Sequence, residues 1–171
     1  VYIGIDPGWE GIISSFDNNE KILSVDKIPS FKTKRNVQFA SYNKREIDSH
    51  NLMKIADRLF HEGHYNVTKM FIENVRPRPR DGRKAVCTMC KNFGIVVAVF
   101  DLVCLEAIPI EPKLWKEYFN LSRDKEESIK LAVKIFGKRD CKKFGVLNDH
   151  NVAEALLIGL FGKRMIEEGK L

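Results

Sequence analysis

The opening of the chain alternates. Tyr2-Ile3-Gly4-Ile5-Asp6 reads as a short buried strand, stopped by Pro7-Gly8, where no ladder hydrogen bond can continue. Gly11 to Asp17 reads as a second strand, and Asn18-Asn19 turns the chain back into a third, Lys21 to Ile28. These three predict an antiparallel meander. From Pro29 to Arg45 the chain is polar, basic and without period, which predicts a mobile basic loop over 29–45. Asp48-Ser49 then opens an amphipathic helix with Leu52, Ile55, Ala56, Leu59 and Phe60 on one face. Val67 to Val75 predicts a buried fourth strand, and Ala107 to Ile110 a fifth. Between them lies a long apolar helix, roughly Ala85 to Cys104, with Gly94 as a close-packing point. Pro112 starts a short helix containing Trp115, Lys116 and Phe119. Asp124 to Phe136 forms another, with an acidic first turn and Gly137 at its end. Asn148-Asp149-His150-Asn151 caps a final apolar helix, Val152 to Met165. Strands and helices in this order predict a single α/β domain over residues 1–171.

Composition agrees with a globular domain: 44% of the residues are hydrophobic. No apolar run approaches membrane-spanning length by this reading, so no membrane is expected. The chain starts directly on a strand, so no signal peptide is expected. Four cysteines without a dense framework fit a reduced, cytoplasmic setting. Cys87 and Cys90 form a lone CxxC inside an apolar helix and are expected to be buried structural residues. His61 and His64 are expected to belong to a helix end rather than to a metal site.

Charge adds a partner. The chain carries 29 Lys and Arg against 23 Asp and Glu, a net charge of +6. The cations cluster: Lys32, Lys34 and Arg35; then Arg76, Arg78, Arg80, Arg83 and Lys84; then Lys138, Arg139, Lys142 and Lys143. Three basic segments around a few isolated acids suit a polyanion whose phosphates need neutralising. The first two groups, with Lys116, are the expected nucleic-acid contacts. The Arg-Pro repeat at 76–80 is a stiffened basic loop placed directly after a strand that ends in an acid.

Those acids carry the candidate chemistry. Asp6 sits at a strand tip between Gly4 and Gly8, on stiff backbone with room for a bulky ligand. Glu73 lies inside Phe-Ile-Glu-Asn-Val, where a carboxylate costs desolvation unless it is paired or bound to a cation. Glu154 falls among Ala153, Ala155, Leu156 and Leu157 in the first turns of the last helix, and His150 shares its face. Asp149 reads either as an N-cap or as a further ligand. Two metal ions about 4 Å apart need roughly this set of oxygen ligands to activate water and stabilise a leaving alkoxide.

The segments Ile3-Gly4-Ile5-Asp6-Pro7-Gly8, Ile72-Glu73-Asn74-Val75, Pro112-Lys113-Leu114-Trp115-Lys116, Asp124-Lys125-Glu126-Glu127-Ser128 and Ala153-Glu154-Ala155-Leu156-Leu157 occur in an order that resembles RuvC-type Holliday-junction resolvases, especially the branch found in bacteriophages. The resemblance spans nearly the whole chain. It implies a ribonuclease H-like fold, with a five-stranded mixed sheet, a three-stranded antiparallel meander plus parallel strands, flanked by helices. It also implies a homodimer and Mg²⁺-dependent nicking, with Mn²⁺ substituting, of two strands of a four-way DNA junction. A phage-encoded enzyme would act in the bacterial host cytoplasm. By the resemblance, Asp6, Glu73 and Glu154 match the first, second and fourth acids. The third position falls to Asp149 as metal ligand, with His150 as the alternative ligand or general base. Phe93-Gly94 resembles the family's second helix, near the dimer contact.

Two rival classes fit less of the chain. A sugar-kinase or actin-like ATPase needs a second domain, a second phosphate loop and a Gly-rich adenosine site, so no nucleotide cofactor is expected. A non-catalytic DNA-binding module explains the basic clusters but not acids at strand and helix ends. A ribonuclease H-like nuclease acting on another branched or hybrid substrate is the nearer alternative.

Overall fold

The structure is a computed structural model. It describes all residues but 9, 38–39, 63–68, 78, 80 and 123, and the side chains of 32–45 and 62 lie outside what it describes. His64, Arg78 and Arg80 therefore lie outside the described residues.

Strands β1 (Tyr2–Asp6), β2 (Ile12–Phe16) and β3 (Ile22–Lys27) form the predicted antiparallel meander. Strand β6 (Lys69–Glu73) lies parallel to β1 on its other side, and β7 (Ala107–Ile110) parallel to β6. The sheet order is β3-β2-β1-β6-β7. Between β3 and β6 the chain makes a separate two-stranded ribbon, β4 (Ser30–Val37) with β5 (Ala40–Ile47), and then helix α1 (Ser49–Glu62). The parallel β6–β7 connection is helix α2 (Arg83–Leu102), a crossover of the length that parallel strands require. After β7 come α3 (Pro112–Tyr118), α4 (Lys125–Phe136), α5 (Lys138–Lys143), a 3₁₀ turn (Val146–Asn148) and α6 (His150–Glu167).

The strand period of two divides the core. Ile3, Ile5, Ile13, Met70 and Ile72 pack with Leu52, Ala56 and Leu59 of α1 and Val96, Val99 and Phe100 of α2. Ile12, Phe16 and Phe71 point the other way, onto Trp115 of α3, Ala132 and Phe136 of α4 and the apolar body of α6. Helix α6 approaches the sheet closely because glycines meet there. A Cβ on Gly4 would run into the Ala155 carbonyl oxygen and stand 2.6 Å from the Gly159 nitrogen. A Cβ on Gly162 would run into the Phe71 ring. Gly4 and Asp6 share the face toward α6, and so do Phe71 and Glu73. The two acids that end β1 and β6 therefore open on the side where α6 lies.

Four expectations change. The segment 29–45 is a hairpin rather than an irregular loop: eight register pairs run from Ser30↔Ile47 to Val37↔Ala40. Its strands pair through their backbones, which takes no hydrophobic alternation in the sequence, so none announces it. Cys87 and Cys90 are exposed, as is Cys104, and Cys141 alone of the four is buried. Gly94 meets nothing within 4 Å, so it is no close-packing point within this chain. Both corrections have one cause, which is that α2 buries only Val96, Val99 and Phe100 along its length. The expectation of no long apolar run also falls, since α2 is long and apolar enough, by length and composition, to cross a membrane. Its two ends connect neighbouring parallel strands of one sheet, the position of a crossover helix.

Candidate active site

The C-terminal edge of the sheet collects the functional side chains. Asp6 ends β1 and Glu73 ends β6, in adjacent parallel strands, because Ile5 pairs with Ile72 in register. Pro7-Gly8 turns the chain immediately, and the Gly8 N–H donates to Asp6 Oδ1 at 2.9 Å. Glu154 enters from the second turn of α6, one residue before the Ala155 carbonyl that contacts Gly4. The α6–β1 glycine contact thus sets how near Glu154 comes to the strand tips.

Electrostatics bind these residues into one unit. Burial pushes the Asp6 carboxyl above its usual range. The Gly8 N–H opposes this, Glu154 adds to it, and Lys116 and His150 oppose it. Glu73 is pushed from 4.5 to about 7, first by burial, then by Asp6 and Glu154, against the pull of Lys116. The indole of Trp115 also draws Glu73 down, although its buried Nε1 completes no hydrogen bond of good geometry. Lys116 is the cation of the group. Its Nζ lies 3.4 Å from Glu154 Oε1 and 4.9 Å from the centre of the Trp115 ring. Pro112 at the start of α3 and the fully buried Trp115 hold that helix so that Lys116 points inward.

Asp6, Glu73 and Lys116 line an open cleft of about 490 Å³, together with Asn74, Arg76 and Glu111. Glu111 ties the cleft's wall together. Its carboxylate accepts from Asn74 Nδ2 at 2.7 Å and pairs with Arg76 Nε at 2.7 Å. The basic loop is thereby fixed, at its first residue, beside the acids.

The structure brings together Asp6, Glu73, Glu154, Lys116 and His150. Asp149 does something else: its Oδ1 accepts from the Asn151 N–H at 2.9 Å and caps α6. Arg83 and Lys84 sit on the exposed first turn of α2, and Lys138, Arg139, Lys142 and Lys143 on the exposed face of α5. Lys32, Lys34 and Arg35 fall on β4, their side chains outside the described residues. Sequence reasoning missed Trp115, Asn74 and Glu111 as parts of the site. The signal was the repeated placement of polar residues just after a strand, Asn74 after β6 and Glu111 after β7.

The donor set fits a hard divalent cation. It offers carboxylate oxygens on stiff strand ends, two of them held toward protonation by burial that a cation would offset. Among the described residues no three His, Cys, Asp or Glu side chains stand close enough to form a metal-binding group as they are.

No protein-family model matches this chain, and no curated protein matches its sequence. Solved structures do match. RuvC of T. thermophilus in complex with a Holliday-junction substrate aligns with a TM-score of 0.62 at 16% identity, over 98% of this chain and 95% of that one. A second structure of Thermus thermophilus RuvC aligns with a TM-score of 0.57 at 13% identity, over 98% and 96%. At such identity the likeness is one of architecture, and together with the sheet order it gives the chain a RuvC-like, ribonuclease H-like α/β fold.

Proposed function

We propose that this protein is a metal-dependent, structure-selective DNA endonuclease that resolves four-way junctions by paired nicks. The observation that carries the reading is the convergence of Asp6, Glu73 and Glu154 with Lys116 at one sheet edge of a RuvC-like fold. The junction as substrate is supported by the neighbour's bound Holliday junction and by the motif order. That motif order alone supports the phage branch.

Asp6, Glu73 and Glu154 would hold Mg²⁺ or Mn²⁺, with His150 or Asp149 completing the set. When bound, the metal supplies Lewis-acid stabilisation of phosphoryl charge and a more acidic water. In the hydrolysis the oxygen of water bonds to phosphorus, the P–O bond to the leaving sugar breaks, the water proton passes to a base, and the leaving sugar oxygen takes up a proton from solvent. His150, whose charge bears on Asp6, would be that base. Lys116 neutralises the acids before substrate arrives and then has a phosphate to face. Arg76, held by Glu111, lies on the same cleft to anchor the strand.

Paired nicks need two sites related by a two-fold axis. Helix α2 supports such a homodimer: Cys87, Cys90, Gly94, Ala98 and Leu102 form an exposed stripe of mainly small residues, which allows close helix approach.

The test is cleavage of a labelled mobile four-way junction by wild type, Asp6→Asn and Glu73→Gln, in Mg²⁺, Mn²⁺ or EDTA. Paired symmetric nicks that vanish in EDTA and in both variants, with junction binding kept by Asp6→Asn, establish the reading. Binding without nicking in any metal overturns it. Equal nicking of junctions, forks and flaps keeps the chemistry and removes the junction as its particular substrate.

A further inference from the structure

The sheet edge that carries the acids also launches the β4–β5 ribbon. Strands β1 and β3 both pair antiparallel with β2, so they run in the same direction. The register Asp6↔Ile12↔Lys27 puts the end of β3 level with Asp6. One residue later the Ile28 N–H donates to the Gly11 carbonyl at 2.8 Å, and the chain then enters β4. The base of the ribbon is pinned again where it returns. The Asp48 N–H donates to the Pro29 carbonyl at 2.8 Å, and Glu46 pairs with Lys91 of α2 at 3.6 Å.

The ribbon's composition is lopsided. Its strands hold Lys32, Lys34, Arg35, Lys44 and Arg45 against the single acid Glu46, which is net +4 of the chain's +6. The register pairs Lys32 with Arg45, Thr33 with Lys44 and Arg35 with Tyr42. Successive strand positions take opposite faces, so both faces of the ribbon are cationic positions. The ladder joins β4 only to β5, in a sheet separate from the five-stranded one. Eight residues at roughly 3.3 Å each give a ribbon of about 26 Å, the axial length of about eight base pairs. A two-stranded ribbon is also an element that the major groove of duplex DNA, about 12 Å wide, admits.

We propose that the β4–β5 ribbon is a duplex-binding arm that lies along a double-stranded arm of the substrate, outside the strands being cut. This rests on the reading of the protein as a junction nuclease and adds to it where the substrate's flanks are held. The ribbon supplies phosphate contacts and no reacting group.

The experiment compares wild type with a variant in which Lys32, Lys34, Arg35, Lys44 and Arg45 are all Gln. Junction binding is measured by fluorescence anisotropy in EDTA across salt, with arms trimmed from about 20 to about 6 base pairs, the shorter being less than the ribbon's span. Each lost phosphate contact removes about 0.9 from the slope of log affinity against log salt, so losing all five makes the variant's slope shallower by about 4.5 per engaged ribbon. Between 50 and 200 mM salt, wild type therefore loses roughly 500-fold more affinity than the variant. Wild type weakens as the arms shorten and the variant does not. An unchanged slope, or equal weakening at both arm lengths, overturns the arm. Thermal melting checks the fold, and Lys34→Gln with Arg35→Gln, expected to lower the slope by about 2, serves if the larger variant is unstable. If wild type never nicks but the slope still falls, the nuclease reading fails and the arm stands. If wild type nicks and the slope holds, only the arm fails.

Discussion

Glu73 lies beside Asp6 and Glu154 at the buried end of β6, and folding raises its carboxyl from 4.5 to about 7. Below pH 4.5 the group is protonated in both the folded and the unfolded chain, so it costs nothing. As pH rises, the unfolded chain releases the proton first, and stability falls until the folded group also ionises near pH 7. At about 1.4 kcal/mol per pH unit, the loss is about 3 kcal/mol, fully present from neutral pH upward. Gln is close to isosteric with the protonated acid and never ionises. Glu73→Gln is therefore expected to match wild type near pH 4.5 and to exceed it by up to about 3 kcal/mol at pH 8 in EDTA. For a urea dependence of about 2 kcal/mol per M, the midpoint moves up by roughly 1.5 M. Urea denaturation followed by circular dichroism at both pH values reads this out. Adding Mg²⁺ at pH 8 is expected to raise the wild-type midpoint and leave the variant's nearly unchanged. A stability difference of equal size at pH 4.5 and pH 8, or a variant weaker than wild type at pH 8, refutes the reasoning.

Two other predictions concern the frame of the site. Gly4→Ala forces β1 and α6 apart against the Ala155 carbonyl, at a cost of about 1–3 kcal/mol. Because Glu154 adjoins Ala155, the displacement is expected to lower nicking by up to about 100-fold in protein that remains folded at the assay temperature; full activity with an unchanged melting temperature would contradict it. Ala98→Glu places a charge on the exposed stripe of α2, where the single chain has room for it. Light scattering is expected to show a monomer in place of a dimer of 19.7 kDa chains, with paired nicking lost and the melting temperature of the monomer little changed.

Much of this arrangement is legible in the residues. Asp6 before Pro7-Gly8 and Glu73 within an apolar strand are local anomalies, and the structure places both at one edge because the strand period aims them the same way. The five strands, an opening meander and two later strands, follow from three alternating segments and two short apolar ones separated by helices, while their order comes from the structure. What escaped depends on partners distant in sequence. Cys87, Cys90 and Gly94 lie in an apolar helix, and only the packing of α1 and α2 decides which of its faces is covered. Residues 29–45 lack an apolar period because β4 and β5 satisfy each other's backbones. Asp149 had two readings, and the cap bond to Asn151 is the one whose geometry is seen. The roles of Trp115 and Glu111 appear only when α3 is folded against β6 and α6.

The seating of α6 on β1 has a consequence for synthesis. Asp6 belongs to the first strand and Glu154 to the helix that follows all the strands in chain order, so the acid cluster spans almost the full translation time of the domain. Until α6 is made, Phe16 and Phe71 on that sheet face lack the part of their cover that α6 supplies, and Glu154 does not yet exist. On the proposed reading, a nascent or prematurely ended chain can bear the basic ribbon and the Arg76 loop, its expected nucleic-acid contacts, without possessing the acid centre. On that reading the acid centre is completed last, with the same helix that closes the core.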